Sequence, residues 1–190
     1  MSSTYSCFCS NKNLEMEIKV AGIIPECVVN GPGGISYTIF AQGCKHKCKG
    51  CHNPETHSFS EGKIYKIKEI IDDIKEYPLS DIATFTGGDP FFQPLPFSVL
   101  AGRLKEDGYK VVGYTGFYFE DIFAHKERME LLKNLDILID GPYQEEKKDR
   151  SLNFRGSSNQ RILEVDKSLK EGKAVEAETY YEGRVFSEPG

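Results

Sequence analysis

At 190 residues the chain is long enough for one domain with a real core, and its apolar fraction of 39% and charged fraction of 28% are those of an ordinary globular protein. A net charge of −5 speaks against a general nucleic-acid binder, which would carry a basic excess, and no apolar run is long enough to span a bilayer. Met1 to Ser10 contains no basic stretch followed by an apolar one, so no secretory signal is visible and the expected location is the cytoplasm.

Residues 1–15 are polar and patternless, which predicts a loose tail. Ile18 to Ile23 reads as an edge strand ended by Pro25. Asn30-Gly31-Pro32-Gly33-Gly34 is a strong turn, and Ser36 to Phe40, rich in β-branched and aromatic residues, reads as a strand. Ile64, Ile67, Ile70, Ile71, Ile74 and Tyr77 recur at helical spacing, which predicts a helix stopped by Pro78. Ile82 to Thr86 is the next strand, followed by Gly87-Gly88-Asp89-Pro90. Phe97 to Asp107 is helical in pattern, with Gly108 suited to its C-terminal cap. Lys110 to Thr115 reads as a strand, Phe119 to Leu135 as mostly helix, and Asp136 to Asp140 as a short strand cut off by Gly141-Pro142. Arg161 to Val165 is a last strand, with Asp166 placed to cap a short helix. Residues 176–190 are expected to pack poorly, which leaves 16–175 as one domain.

Strands alternating with helices imply βαβ units and a parallel sheet. The loops that follow the strands then gather at one end of the sheet, where α/β folds place their chemistry. Gly43 to Asn53, Gly87 to Pro90, Gly116 and Gly141 all follow predicted strands, so they are expected to converge.

The chain has six cysteines, three of them within Cys44 to Cys51 at the spacing C-x3-C-x2-C. Such crowding reads better as metal ligation than as disulfides. Thiolates are soft ligands that suit iron–sulfur clusters and zinc. Three thiolates on a four-iron cluster would leave one iron open to a substrate. The competing reading is a closed zinc site of Cys44, Cys48, Cys51 and either His46 or His52, although the second arm usual in structural zinc sites is missing. A third reading is three unrelated thiols. Cys7, Cys9 and Cys27 lack ligand spacing and read as non-ligands.

The cysteine spacing on a loop after a strand, followed by Thr86-Gly87-Gly88-Asp89-Pro90 after the next, resembles the radical S-adenosylmethionine superfamily. The narrower resemblance is to activating proteins of glycyl-radical enzymes, in particular those of the anaerobic (class III) ribonucleoside-triphosphate reductase. It rests on Asn30 to Gly34, Gly43 to Thr56, Gly87 to Pro90, Gly113-Tyr114-Thr115-Gly116, Asp136 to Tyr143 and Arg155-Gly156-Ser157-Ser158-Asn159-Gln160-Arg161, and it spans about Val20 to Val175. Gly50 stands where the superfamily often has a bulky residue, His57 where the family often has tryptophan, and the segment before Met16 is extra.

The resemblance implies a single-domain partial (βα) barrel, shorter than the about 250 residues of a full eight-stranded one. It implies a 4Fe-4S cluster on Cys44, Cys48 and Cys51, S-adenosylmethionine as cofactor, and an activase that installs a glycyl radical on the reductase. It also implies an external one-electron donor such as flavodoxin or ferredoxin, and neither nucleic acid nor membrane as partner. Gly87 and Gly88 would let the backbone approach the cofactor, the bland alternative being a tight turn before Pro90. Asp89 would accept from the cofactor's amino group or cap the turn. Gly50, Cys51 and His52 would lie along the cofactor, although a lone histidine is more often merely packed or solvated. Thr115 and Asp140 would reach the ribose or methionyl group, or simply cap strand ends. His46, between Lys45 and Lys47, reads as solvated, and the three lysines as a solvated face or a docking patch. The run from Arg155 to Arg161 would order the open side of the sheet or meet the partner. The remaining rivals are a radical enzyme acting on a small molecule and a non-catalytic zinc module.

Overall fold

The β-branched and aromatic runs become seven strands and the apolar 3.6-residue patterns become helices in the computed structural model, which describes residues 11–181. The strands are β1 (Glu17–Cys27), β2 (Ser36–Ala41), β3 (Lys63–Lys66), β4 (Ile82–Gly87), β5 (Lys110–Tyr114), β6 (Ile137–Asp140) and β7 (Arg161–Glu164). The helices are α1 (Asn11–Leu14), α2 (Ile67–Ile74), α3 (Pro94–Glu106), α4 (Phe119–Phe123), α5 (Lys126–Leu132) and α6 (Val165–Glu171). One sheet holds all seven strands in the order β3-β1-β2-β4-β5-β6-β7. The four central strands β2, β4, β5 and β6 are parallel, as expected of βαβ units, while β1, β3 and β7 join antiparallel. The architecture is therefore a mixed α/β sheet.

Alternation along the central strands sends residues to two faces. Tyr37, Ile39, Phe85, Val111 and Leu138 face a core closed by Ile67, Ile70 and Ile74 of α2, Phe97, Leu100 and Leu104 of α3, and Leu131 and Leu132 of α5. Ile82, Val112, Ile139 and Ile162 face a second, smaller core. Near it on β2 and β4, Ser36 Oγ donates to Thr84 Oγ1 (2.6 Å) and Thr84 Oγ1 donates to the Asn30 carbonyl (3.1 Å). The turn at residues 30–34 is thereby drawn against the sheet. Gly31 must be bare there, since a Cβ would stand 2.8 Å from Ser36 Cβ.

Four expectations are corrected. The strand at Ile18 to Ile23 is not at the edge, because β3 pairs outside it, from Glu17 opposite Lys66 to Val20 opposite Lys63. Nor does Pro25 end it. Pairing with β3 stops at Val20, and the β2 register skips from Ile24 to Cys27, so no ladder bond is required of the proline. Ile64 lies in β3 rather than in a helix, and α2 starts only at Ile67. Asp166 is inside the first turn of α6, whose N-cap is Glu164. Gly108, by contrast, follows α3 with φ +93° and donates to the Lys105 carbonyl, as a cap glycine does.

The two tails differ from the loose segments expected, where they are described. Residues 11–14 form the turn of helix α1. Ala177 is fully buried, its N–H donates to the Ile162 carbonyl (2.8 Å), and Tyr180 and Tyr181 pack on the smaller core. Tyr181 Oη accepts the Ile162 N–H (2.8 Å), which satisfies a backbone donor on the free side of β7. Cys7 and Cys9 lie outside the described residues. No helix among the described residues is long and apolar enough to cross a membrane.

Candidate active site

Parallel strands end on the same side, so the loops after β2, β4, β5 and β6 do meet. They surround a cavity of about 530 Å³ lined by Cys44, Cys48 and Cys51 from the first loop, Gly87, Gly88 and Asp89 from the second, Thr115 and Gly116 from the third and Gly141 from the fourth. The first two loops are stitched backbone to backbone. Gly88 N donates to the Ala41 carbonyl (2.8 Å) and Asp89 N to the Gly43 carbonyl (3.1 Å). From its other side the cysteine loop is held by the turn at Pro54–His57, where Gly43 N donates to the Thr56 carbonyl (2.8 Å) and Cys44 N to the His57 carbonyl (3.2 Å).

Cys44, Cys48 and Cys51 are free thiols, and Cys44 is only 8% exposed. Burial pushes the Cys44 thiol up to about 11, against the pull of the His46 and Lys47 backbone N–H groups. Burial also raises Cys48, against the pull of the Tyr143 N–H. The Asn53 N–H donates to Cys51 Sγ at 3.4 Å. Soft donors with N–H groups directed at them, in a partly dry cavity, suit a group that brings its own positive charge and stabilises the thiolates. This donor set fits an iron–sulfur cluster.

The histidines do not complete a zinc site. The flanking lysines predict a solvated His46, but its side chain is mostly buried. Its ring lies between Phe117 (centroids 4.5 Å apart) and Phe92 (5.3 Å), and Nε2 bonds Asp89 Oδ2 at 2.9 Å. His52 packs on Tyr143 with centroids 5.1 Å apart and lines the cavity. Among the described residues no three His, Cys, Asp or Glu side chains close on a single ion.

The residues expected at the cofactor stand differently to the cavity. Asp140 is fully buried and is absent from the cavity wall; its carboxylate accepts from Arg161 Nε (3.0 Å), Arg161 Nη2 (2.5 Å) and the Phe119 N–H (2.8 Å). Its carboxylate is thus engaged by the start of α4 and by β7. Gly50, at φ +72°, has the Glu145 side chain beside it, and it too is absent from the wall. Thr115 lines the cavity, but its hydroxyl donates to Asp89 Oδ2 (2.9 Å) and accepts the Phe117 N–H (3.1 Å).

Several wall residues escaped the sequence reading, among them Asn30, His57, Tyr143 and Phe154. The run Arg155 to Arg161 was visible as a motif but not as a wall. Arg155, Gly156 and Gln160 line the cavity. Gln160 Oε1 accepts the Gly156 and Ser157 N–H groups (2.8 and 3.2 Å), and its Nε2 donates to the Gly141 carbonyl (3.1 Å). The Arg155 guanidinium sits over the Tyr181 ring at 4.2 Å. Arg155 Nε and the Tyr143 hydroxyl are buried without a protein partner.

Residues 29–163 match a family described as a 4Fe-4S single cluster domain. The anaerobic ribonucleoside-triphosphate reductase-activating protein of Pasteurella multocida (strain Pm70) is 34% identical over 147 residues, covering 73% of this chain and 92% of that protein. The protein of the same name from Haemophilus influenzae is 35% identical over the same shares of the two chains, and that of Enterobacteria phage T4 is 33% identical, covering 74% and 90%. The chain belongs to this family of activating proteins. A crystal structure of QueE from Escherichia coli is a looser likeness, with TM-score 0.46 and 18% identity over 56% of this chain and 57% of that one. All three cavity thiols and the glycine loop of this activating-protein family member lie inside the 4Fe-4S match.

Gly88 has little freedom to change. A Cβ there would stand 2.6 Å from the Gly43 carbonyl oxygen, immediately before Cys44. From the sequence, Gly88→Val reads as a change that weakens cofactor binding and spares the cluster. The geometry corrects this. The branched side chain is expected to displace the cysteine loop, so the reduced-cluster paramagnetic resonance spectrum should change along with cofactor affinity. A wild-type spectrum in Gly88→Val would contradict the stitching of the two loops.

Proposed function

We propose that the chain is a radical S-adenosylmethionine activase that installs a glycyl radical on an anaerobic ribonucleoside-triphosphate reductase. The observation that carries this reading is the meeting of three free thiols and a bare glycine loop in one cavity at the ends of parallel strands. A reduced 4Fe-4S cluster held by Cys44, Cys48 and Cys51 would supply the one electron for reductive cleavage of S-adenosylmethionine to methionine, the chemistry by which hydrogen would be removed from a glycine Cα.

In this reading Cys44, Cys48 and Cys51 hold the cluster and leave one iron for the cofactor. Gly87 and Gly88 present backbone rather than side chain to the methionyl part, and Cys51 and His52 lie along it. Tyr143 and Arg155 line the same cavity and would border the bound cofactor. The wall residues orient the cofactor and limit water at the reacting bond, the protein's usual share in cofactor chemistry. The finer fold reading is a partial barrel whose open side admits a glycine loop from another protein. The electron comes from an external carrier such as flavodoxin or ferredoxin, and the reaction takes place in the cytoplasm without nucleic acid or membrane.

The test is to mix the reduced, anaerobic protein with S-adenosylmethionine and the reductase. A glycyl-radical signal on the re-purified reductase, with about one cofactor cleaved per radical, is the expected outcome. Cleavage that proceeds with a small molecule while the reductase stays radical-free would replace this reading with a small-molecule enzyme.

A further inference from the structure

Asp89 is the acidic residue of the glycine loop, and on sequence its carboxylate either accepts from the cofactor's amino group or caps the turn. In the fold it is 1% exposed and has four donors already. Oδ1 accepts the Phe91 N–H (2.9 Å); Oδ2 accepts from His46 Nε2 (2.9 Å), Thr115 Oγ1 (2.9 Å) and the Gly116 N–H (3.0 Å). A carboxylate oxygen has about two lone-pair positions, so Oδ2, with three donors, has no place left for a ligand, and Oδ1, which keeps one beside the Phe91 N–H, belongs to a side chain only 1% exposed. Because an ionised carboxylate only accepts, the His46 tautomer facing it carries its proton on Nε2.

A second observation is independent of these bonds. The space around the His46 ring is shaped to it. Phe92 and Phe117 flank it, and Gly116 is bare where it passes, since a Cβ there would stand 2.5 Å from His46 Cδ2 and 2.8 Å from Nε2. His46 lies between two of the three cysteines, midway between Cys44 and Cys48. Anything that fixes its ring fixes the short arc bearing both sulfurs.

We propose that His46 and Asp89 form a clasp that locks the cysteine loop onto the glycine loop and the end of β5, and that Asp89 is a positioning residue rather than a cofactor ligand. Thr115 is the third member, holding the carboxylate from the β5 side. The clasp sets the spacing of Cys44 and Cys48 before any cluster arrives, as outer partners orient ligands at other metal sites. The inference rests on the cysteine loop holding the cluster, not on the identity of the protein substrate.

The experiment follows cluster loss from the anaerobically reconstituted full chain to an iron chelator, read from the visible absorbance, with thermal unfolding of the cluster-free chain measured alongside. His46→Ala and Asp89→Asn should each lose the cluster about tenfold faster than wild type, within the range for disrupted outer partners. The double variant should lose it no faster than the worse single one, because both changes open the same contact. His46→Gln, whose amide N–H extends to about the position of Nε2, should restore most of the retention. Should His46→Ala fail to fold, Gly116→Ala displaces the same ring without removing it and is read in the same way. Wild-type retention in His46→Ala, or strictly additive rates in the double variant, would overturn the clasp. So would calorimetry in which Asp89→Asn weakens S-adenosylmethionine binding while His46→Ala leaves it unchanged, for that result makes Asp89 a cofactor ligand. None of these readouts needs the reductase, so a failure here is separable from a failure of the activase reading.

Discussion

Cys44→Ala, Cys48→Ala and Cys51→Ala are each expected to reduce cleavage of S-adenosylmethionine to the background of cluster-free protein, while Cys27→Ala keeps it. Each of the three thiols lines the cavity. His46 is turned to Asp89, His52 is stacked on Tyr143, and Asn53 offers its backbone N–H to Cys51. A cluster with two protein ligands has neither its full anchorage nor a single open iron. Cys27 ends β1 and is not part of the wall. Cys7→Ala and Cys9→Ala belong with Cys27→Ala on sequence grounds. The measurement is iron and sulfide content beside methionine formation under reducing conditions. Full turnover in any one of the first three variants would remove that residue from the ligand set, and anaerobic protein holding only zinc would remove the cluster altogether.

Arg161→Ala should cost about 3–5 kcal/mol of folding stability, the range for breaking a buried ion pair by removing one partner. Its guanidinium spans two acids, bonding both oxygens of Asp140 and both of Glu120 (3.2 and 2.9 Å), and so ties β7 to β6 and to α4. Asp140 is the vulnerable partner because it is fully buried. Burial already raises its carboxyl above the ordinary value, with Arg161 and the Phe119 N–H pulling it back. Without Arg161 the rise grows. A carboxyl raised in the folded state contributes stability below its unfolded value and loses it as pH climbs through the folded one. The deficit of Arg161→Ala should therefore be largest at neutral pH and shrink as the buffer is acidified and Asp140 takes up its proton. Denaturant unfolding at a series of pH values checks this; a deficit independent of pH would mean that Asp140 finds another cation or water. Asp140→Leu combined with Arg161→Met should return part of the loss, since no buried charge is then left unpaired, while the Phe119 N–H loses its acceptor and the exposed Glu120 its cation.

Most of the parallel core was legible, because Ser36 to Ala41, Ile82 to Gly87 and Lys110 to Tyr114 combine β-branched content with glycine-marked ends. What misled was apolar spacing without burial. Ile64 continues the helical pattern of α2, yet it is 60% exposed on β3, so its match to the period came from composition and not from a shared face. Pro25 signalled an end that the strand did not need, since neither neighbour asks for the N–H that proline lacks. The buried Ala177 is one small residue among polar ones, and only its docking on the Ile162 backbone makes it part of a core. At the site, the cysteines and glycines were readable because their chemistry is local to a short motif. The environments of His46 and Asp140 were not, because each is decided by a partner far away in the chain, Asp89 for one and Arg161 for the other.

From β2 onward, the order of strands across the sheet is the order in which they occur in the chain: β2, β4, β5, β6, β7. Only β1 and β3 are added on the other side, as neighbours through antiparallel pairing. A ribosome emitting this chain therefore releases each of the strands β4, β5, β6 and β7 after the strand it pairs with. No strand has to be inserted between two that have paired. The polar wall at Arg155 to Gln160 arrives late in this sequence, so the cysteine loop emerges and takes its place before the side of the cavity facing it exists.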